Sequence, residues 1–477
     1  MLFNSLQFMI FFPVITGLFY LLPHRYRWAL LLIASCVFYM AFIPVYILIL
    51  IVTILIDYTA GILIAQATNK KKKKWLLIMS IISTCLVLFI FKYYNFFIAN
   101  YNYVVTFLDW NYSVNTLKII LPIGLSFHTF QSLSYVIEVY RGKQKSEKHF
   151  GIYSLYVMFY PQLVAGPIER PQNLLHQFRE KHIFDFNNVS NGLKQMAWGF
   201  FMKLVVADRA AIYVNAVYNN PEQHNGLTYI VATIFFAFQI YCDFAGYSNI
   251  AIGSAKVMGF KLMQNFDRPY FSKSIAEFWK RWHISLSTWF RDYLYISLGG
   301  NRVSKTRCYF NLFITFLVSG LWHGANWTYI IWGALNGFYL IAGIFIKSFF
   351  HRIRLPLEQR LITRLISIIV TFLITCIAWV FFRANSLENA FDIFSKMLNP
   401  HGKLFIPTGA DVVAPIYAVF AIILLLIVEI KHEYFNNIFS VFNNKSETVR
   451  LFAYAGLIAV ILFFGVFDGG QFIYFQF

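Results

Sequence analysis

Long apolar stretches recur along the whole chain and restrict its possible folds more than any other feature. A helix that spans a bilayer needs about 20 mainly apolar residues, and in hydrocarbon only helices and closed barrels satisfy their backbone hydrogen bonds. Twelve such stretches lie near residues 5–22, 28–42, 44–66, 75–98, 118–138, 190–217, 227–258, 308–322, 327–346, 362–382, 411–430 and 450–468. Only 13% of the residues are charged, against roughly 25% in soluble domains.

We therefore predict an all-α, polytopic membrane protein that forms one domain over residues 1–477. The apolar stretches predict about 11–12 transmembrane helices, with additional re-entrant and interfacial helices. The first apolar stretch follows no basic segment, so we expect a retained helix and not a cleaved signal peptide.

The distribution of basic residues predicts the topology. Lys and Arg concentrate in short loops such as "HRYR" (24–27), the run 70–74 and "RGKQKSEKH" (141–149), whereas residues 99–117 contain neither. Such loops face the cytoplasm in multi-pass proteins, so we expect an extracytoplasmic N-terminus. The net charge of +19 is then explained by topology and contact with membrane lipid, and requires no nucleic-acid partner.

Two segments interrupt the regular pattern. Residues 151–166 are too short to span comfortably, contain Pro161 and Gly166, and lie between basic loops, which predicts a re-entrant hairpin. Residues 266–307 mix tryptophans with charges at helical spacing, so they either lie in the interface or dip into a cavity. Irregular backbone at membrane depth requires surrounding protein or a water-filled cavity, so both segments indicate a hollow bundle.

Two histidines are candidate catalytic residues. His323 lies in "LVSGLWHGANW", within an otherwise apolar stretch, and polar residues at membrane depth commonly mark function. Histidine also suits general-base chemistry near neutral pH. His283 lies in the amphipathic segment. The alternative for each is a histidine that only hydrogen-bonds a neighbouring helix.

Other site classes lack their sequence patterns. The five cysteines show neither metal-ligand nor disulfide spacing, so we expect no metal. A zinc-binding His-Glu-x-x-His helix, a G-x-S-x-G elbow, a P-loop and the His-x4-Asp pattern of glycerolipid acyltransferases are all missing. A membrane cavity with a deep histidine remains.

Four motifs in the chain resemble one enzyme family. They are "MFYPQLVAGPIERPQNLLHQF" (158–178), "FQIYCDFAGYSNIAIG" (238–253), "DRPYFSKSIAEFWKRWHISLSTWFRDYLYISLGGNR" (267–302) and "VSGLWHGANWTYIIWGALNG" (318–337). They are similar to the membrane-bound O-acyltransferase superfamily, and within it to the bacterial alginate and peptidoglycan O-acetyltransferase branch.

The resemblance implies a bacterial inner-membrane protein with a ring of about 11–12 tilted transmembrane helices around a central cavity. It also implies specific roles for some of these residues. The family's near-invariant histidine matches His323, and its second polar position matches His283. His323 is then the general base and His283 a residue that orients it or steadies the carbonyl oxygen. Acetyl-coenzyme A is the implied acyl donor, with no metal. The candidate substrate-contacting residues are Trp322, Asn326, Trp282, Asp243, Tyr247 and Ser248.

The C-terminal aromatic tail, "DGGQFIYFQF" (468–477), is a further candidate element. Similar tails in envelope-acylating relatives present a tyrosine that resembles an acyl acceptor, and the matching residue here is Tyr474. The implied reaction is a relay, in which a periplasmic SGNH-type O-acetyltransferase passes the acetyl group to a polysaccharide such as peptidoglycan or alginate. The alternative for the tail is an interfacial aromatic belt.

A membrane transporter or flippase is the alternative from another functional class. Such proteins also have broken helices and a polar site near the midplane. They commonly show paired interruptions in corresponding halves, and no such internal symmetry is visible in this chain.

Overall fold

The computed structural model describes residues 1–352, 361–435, 442, 446–467 and 472–473; of residues 349–352 and 410 it describes the backbone only. This part of the chain is helical and contains no strand. It divides into two compact units, one formed by residues 1–196 with 248–263 and the other by 197–247 with 264–477. The single membrane domain expected from the sequence stays a prediction.

The first unit contains the N-terminal helices. They are α1 (Leu6–Leu21), α2 (His24–Met40), α3 (Ile47–Gln66), α4 (Lys70–Leu88), α5 (Tyr94–Phe107), α6 (Leu125–Tyr140), α7 (Phe150–Met158), α8 (Tyr160–Leu163), α9 (Pro171–Leu174) and most of α10 (Phe186–Phe200). A π-helical segment, Phe89–Tyr93, joins α4 to α5.

The second unit contains the helices that carry both candidate histidines. They are α11 (Asp208–Tyr218), most of α12 (Gly226–Val257), α13 (Ile275–Arg281), α14 (Ile284–Trp289), α15 (Lys305–His323), α16 (Trp327–Arg352), α17 (Leu361–Arg383), α18 (Leu387–Met397), α19 (Ala414–Phe435) and α20 (Glu447–Phe464). Two π-helical segments, Phe201–Ala207 and Phe290–Tyr295, precede α11 and follow α14.

Seven helices in the described residues are long and apolar enough to cross a membrane, which confirms the polytopic helical class. They are Pro44–Gln66, Lys70–Phe107, Gly226–Val257, Trp327–Ser348, Leu361–Arg383, Ala414–Phe435 and Glu447–Phe464. The remaining predicted stretches also contain helices, but these are shorter or more polar, as in the 16-residue α1. Helix α20 has no buried residue, and many of its large apolar side chains, such as Leu451, Phe452 and Phe463, are exposed, as expected for a helix that faces lipid.

The predicted re-entrant segment folds as two short helices, α7 and α8, and residues 151–166 are all buried. The chain breaks between the two helices at Phe159, just before Pro161. The broken turn is not left without partners, because the side-chain amides of Gln131 and Gln162 both donate to the carbonyl of Tyr156. Surrounding protein therefore tolerates irregular backbone here, as expected.

Helices α15 and α16 cross closely, and this crossing positions the end of α15. A side chain at Gly320 would collide with the carbonyl of Tyr329, and its Cβ would lie 3.0 Å from the Cα of Gly333. Small residues at such a crossing let two helix backbones approach each other. His323 lies one turn beyond Gly320, at the last position of α15.

Candidate active site

His323 is buried at the C-terminal end of α15, with 6% of its surface exposed. Its ring packs edge-on against Trp332, with centroids 5.0 Å apart, and against Phe382 at 5.5 Å. The carbonyl groups at a helix C-terminus favour a positive charge. The position therefore suits an imidazole that takes up a proton during a reaction.

His283 lies at the sharp break between α13 and α14 and is 2% exposed. Its φ of 42° is in the left-handed region, which is uncommon for a residue with a side chain. Two backbone hydrogen bonds hold this turn: Ile284 N–H donates to the carbonyl of Asn265 at 2.8 Å, and Asp267 N–H to that of Arg281 at 2.9 Å. Strained backbone of this kind is often found at functional sites.

Asn265 sets the tautomer of His283. Its Oδ1 accepts from the backbone N–H of Ser285 at 3.2 Å and from the Ser285 hydroxyl at 2.8 Å, and it lies 3.2 Å from Nδ1 of His283. A backbone N–H can only donate, so the amide oxygen must face this cluster. Nδ1 therefore carries the hydrogen, and in the neutral ring Nε2 keeps its lone pair.

The electrostatic environment keeps His283 neutral. Burial and, secondly, the nearby His323 hold the pKa of His283 well below its usual range. The neutral ring, with its hydrogen on Nδ1, can accept a hydrogen bond at Nε2 but cannot donate one from that atom.

An aromatic wall connects the surroundings of the two histidines. Trp282 is 1% exposed, and its ring lies 5.1 Å from that of Trp379. Trp379 stacks on Trp332 at 5.9 Å, and Trp332 contacts His323. These rings keep water from the imidazoles, and electrostatic interactions are stronger in such a water-excluded site.

A buried charge cluster lies in the same unit. Lys203 Nζ is 2.7 Å from Asp243 Oδ1 and 2.8 Å from Asp208 Oδ1, and all three side chains are at least nine-tenths buried. The other oxygen of Asp243 accepts a 2.7 Å hydrogen bond from the backbone N–H of Ile473. Asp243 therefore contacts the C-terminal segment of the chain directly.

Phe244 connects this segment to His283. Its ring packs edge-on against His283, with centroids 4.6 Å apart, and lies 5.6 Å from the ring of Phe472. Phe472 also stacks on Tyr247 at 4.8 Å and is 1% exposed. The described part of the tail is thus buried one aromatic ring away from His283.

The other predicted residues occupy different settings. Trp322 is partly exposed. Asn326 caps α16, where its Oδ1 accepts from Thr328 N–H at 3.0 Å. Ser248 is buried on the part of α12 that belongs to the first unit. Tyr474 lies outside the described residues. Substrate contact by any of these side chains stays a prediction.

Sequence reasoning missed three residues of this site: Asn265, Lys203 and Phe244. A signal existed for Lys203, because a lysine in the apolar run "FFMKLVVA" is expensive to bury and should have a partner. Asn265 and Phe244 carry no comparable signal, since their neighbours in the sequence do not indicate contact with His283.

A cavity of about 450 Å³ is lined by residues of α13, α14 and α15. Its wall is mainly apolar, with Trp279 and Leu312 among the lining residues, and Lys280 and Arg291 contribute positive charge. Ser319 also lines the cavity, one helical turn before His323. Among the residues that the structure describes, no group of three or more His, Cys, Asp or Glu side chains could hold a metal ion.

The comparisons with known proteins agree with this arrangement. The model of MBOAT, the membrane-bound O-acyltransferase family, matches residues 148–383, a range that contains both histidines. The probable alginate O-acetylase AlgI of Pseudomonas aeruginosa is 41% identical over 404 residues, covering 84% of this chain and 75% of the relative.

Two further relatives act on other polymers according to their names. The peptidoglycan O-acetyltransferase of Helicobacter pylori is 33% identical over 398 residues, covering 78% of this chain and 74% of the relative. The teichoic acid D-alanyltransferase of Streptococcus thermophilus is 30% identical over 305 residues, covering 58% and 69%. The similarity extends over most of the chain, includes the paired histidines and identifies the protein as an acyltransferase of the membrane-bound O-acyltransferase family.

Proposed function

We propose that this protein takes acetyl groups from a thioester donor on the cytoplasmic side and delivers them across the membrane for O-acetylation of an extracytoplasmic polysaccharide. The observation that carries the proposal is the pair of buried histidines in one aromatic enclosure, one at a helix C-terminus and the other held neutral. The names of the relatives support acetyl as the group, and peptidoglycan or an alginate-type polymer as its destination.

Acetyl-coenzyme A is the proposed donor. The cavity along α13 to α15 suits the slender, largely uncharged arm of this thioester. Lys280 and Arg291 would lie near its phosphates, where a positive charge is favourable. Because Ser319 lines the same cavity, a donor bound there could bring its carbonyl towards His323, one turn further along α15.

His323 is the proposed general base. It takes the proton of an attacking hydroxyl while the oxygen forms a bond to the thioester carbonyl carbon. The resulting tetrahedral intermediate expels the thiolate as the carbon–sulfur bond breaks, and the imidazolium returns the proton to sulfur. The products are an O-acetyl ester and free coenzyme A. Such assistance is required because an unassisted hydroxyl is a weak nucleophile.

His283 is the proposed orienting residue. Its neutral ring presents the Nε2 lone pair, so it can accept a hydrogen bond from His323 or from the attacking hydroxyl. Steadying the carbonyl oxygen would require a donor at Nε2, which this tautomer lacks. The hydrogen bond that Nδ1 donates to Asn265 therefore favours a role for His283 in orienting the base over a role in stabilising the carbonyl oxygen.

The attacking hydroxyl is proposed to be the phenol of Tyr474. Phe472 and Ile473, which immediately precede it, are both buried, and the ring of Phe472 lies beside that of Phe244, which contacts His283. An acetyl group carried by Tyr474 would then be collected by a periplasmic SGNH-type O-acetyltransferase, which would transfer it to the sugar. In this scheme the membrane protein never contacts the polysaccharide.

The proposed location is the bacterial inner membrane, with the N-terminus outside the cytoplasm. The basic loops at 24–27, 70–74 and 141–149 support this orientation. A transporter or flippase would carry out no acyl-transfer chemistry. Membership of an acyltransferase family therefore argues against this alternative.

Replacing His323 with alanine should lower acetyl transfer by about 10²- to 10⁴-fold, the usual contribution of a positioned base. The measurement is coenzyme A release by purified protein supplied with acetyl-coenzyme A, the partner transferase and its polysaccharide acceptor. His401→Ala, which removes an exposed histidine, is the matched control and should keep the wild-type rate. Retained activity in correctly folded His323→Ala protein would contradict the proposed base.

Replacing Tyr474 with phenylalanine should abolish polysaccharide acetylation, because the ring is kept and the nucleophile is lost. The measurement is acetate released by mild alkali from the glycan of cells that express each variant. Tyr454→Phe, which removes a phenol from α20 in the same part of the chain, should acetylate normally. Full acetylation in the Tyr474→Phe strain would show that Tyr474 is not the acceptor and that the tail serves only as an anchor.

Asn265→Asp should move the acidic limb of the pH–rate profile to higher pH. A carboxylate beside Nδ1 raises the pKa of His283, so this histidine becomes protonated at a pH where the wild-type ring is still neutral and loses its Nε2 acceptor. At higher pH the ring is neutral again and still donates from Nδ1 to the introduced carboxylate, so the rate should recover.

Asn265→Ala is the comparison, since it removes the hydrogen bond without adding charge. It should lower the rate at every pH and leave the acidic limb in place. A wild-type profile for Asn265→Asp would show that neutral His283 is not required.

A further inference from the structure

The C-terminal segment is anchored where it leaves α20. Arg209 Nε donates to the carbonyl of Phe464 at 2.8 Å, and the backbone N–H of Val466 donates to the carbonyl of Leu204 at 3.1 Å. Both anchors lie on the helical stretch that also carries Lys203 and Asp208. The segment therefore begins its path beside the buried charge cluster.

A second anchor lies seven residues beyond Val466, where Ile473 N–H donates to Asp243 Oδ2 at 2.7 Å. Ile473 and Asp243 are each 3% exposed, and the neighbouring Phe472 is 1% exposed. Hydrogen bonds from a backbone N–H to a carboxylate are among the stronger ones in proteins. The tail is held here by its backbone, so the bond fixes the position of the chain irrespective of side-chain rotamers.

Lys203 holds Asp243 ready for this bond. Its ammonium lies 2.7 Å from Asp243 Oδ1, so each carboxylate oxygen has its own partner, Lys203 on one side and Ile473 on the other. Helix α12 comes close enough for this contact at Gly246, where an added Cβ would lie 2.9 Å from the backbone nitrogen of Lys203. The π-helical segment Phe201–Ala207 carries the lysine.

We infer that Asp243, oriented by Lys203, is a positioning residue that docks the C-terminal segment in the catalytic enclosure. Docking places Phe472 against Phe244, the ring that contacts His283, and makes Tyr474 the next residue along the chain after Ile473. The inference rests on the proposed role of Tyr474 as acetyl acceptor. Asp243 was expected to contact substrate, and in this proposal it instead acts on the reaction through the position of the tail.

The charge cluster supplies a matched pair of variants. Asp243→Ala removes the acceptor of Ile473 N–H, whereas Asp208→Asn removes the other carboxylate partner of the same lysine and keeps the carboxylate that accepts from Ile473. Lys203 keeps one carboxylate partner in each variant, so neither leaves it without a counter-charge. Asp243→Asn keeps an oxygen that can accept from Ile473 and should give an intermediate result.

The experiment combines hydrogen–deuterium exchange of the C-terminal peptide with acetyl-transfer rates for the full-length protein in lipid nanodiscs. Loss of a hydrogen bond to a charged acceptor should speed exchange by about tenfold or more in Asp243→Ala. Transfer should fall by a similar factor, whereas any loss of melting temperature caused by the broken ion pair should be shared by Asp208→Asn. Asp208→Asn should match the wild type in exchange and retain its transfer rate.

Wild-type exchange in Asp243→Ala, or rapid exchange with undiminished transfer, would overturn the docking role. Slow transfer in both aspartate variants without a change in exchange would also overturn it, since the cluster would then act only on the fold. The Tyr474→Phe variant tests the proposed relay separately. Full glycan acetylation in that variant would contradict the relay, whatever the exchange data show.

Discussion

Backbone groups that lie away from water must find their hydrogen-bond partners inside the protein, and this constraint determines where the chain can leave a regular helix. At the two helix breaks near the proposed catalytic site, nearby side chains and carbonyl groups provide the missing hydrogen-bond partners. Asn265 serves the turn at His283 through its carbonyl and its side-chain oxygen, and Asn326 caps α16 just beyond the end of α15 at His323. The two histidines lie at such breaks, where a side chain can point away from the ordinary face of a helix.

The same constraint applies to ionisable side chains, which are costly to bury unless they are neutral or paired. Both solutions occur in the second unit. His283 is kept neutral by burial and by His323, while Lys203 is paired with Asp208 and Asp243. In the proposed mechanism the neutral group supplies a lone pair for chemistry, and the paired groups supply a fixed carboxylate for the tail. The proposed positioning and catalytic roles therefore fall to separate buried polar groups, linked by Phe244.

Much of this arrangement could be predicted from the sequence. Apolar length predicted the helical membrane class, and the isolation of His323 in an apolar stretch singled it out. The number of spanning helices was harder, because apolar length alone does not distinguish a helix buried in protein, such as α6, from one that faces lipid, such as α20. The contact between Asp243 and Ile473 joins residues 230 positions apart, and no local pattern reports it. No sequence pattern predicts the role of Asn265 either, since that role depends on a strained turn 18 residues further along the chain.

In the proposed mechanism the acetyl group passes through the protein's own tail, with His323 as the base. This can be tested by mass spectrometry of purified protein after incubation with isotopically labelled acetyl-coenzyme A, without partner or glycan. We expect one labelled acetyl group on Tyr474 in the wild type, and none in protein that lacks either the imidazole of His323 or the phenol of Tyr474. Donor consumption that requires the glycan and leaves no label on the protein would contradict the relay and indicate direct transfer.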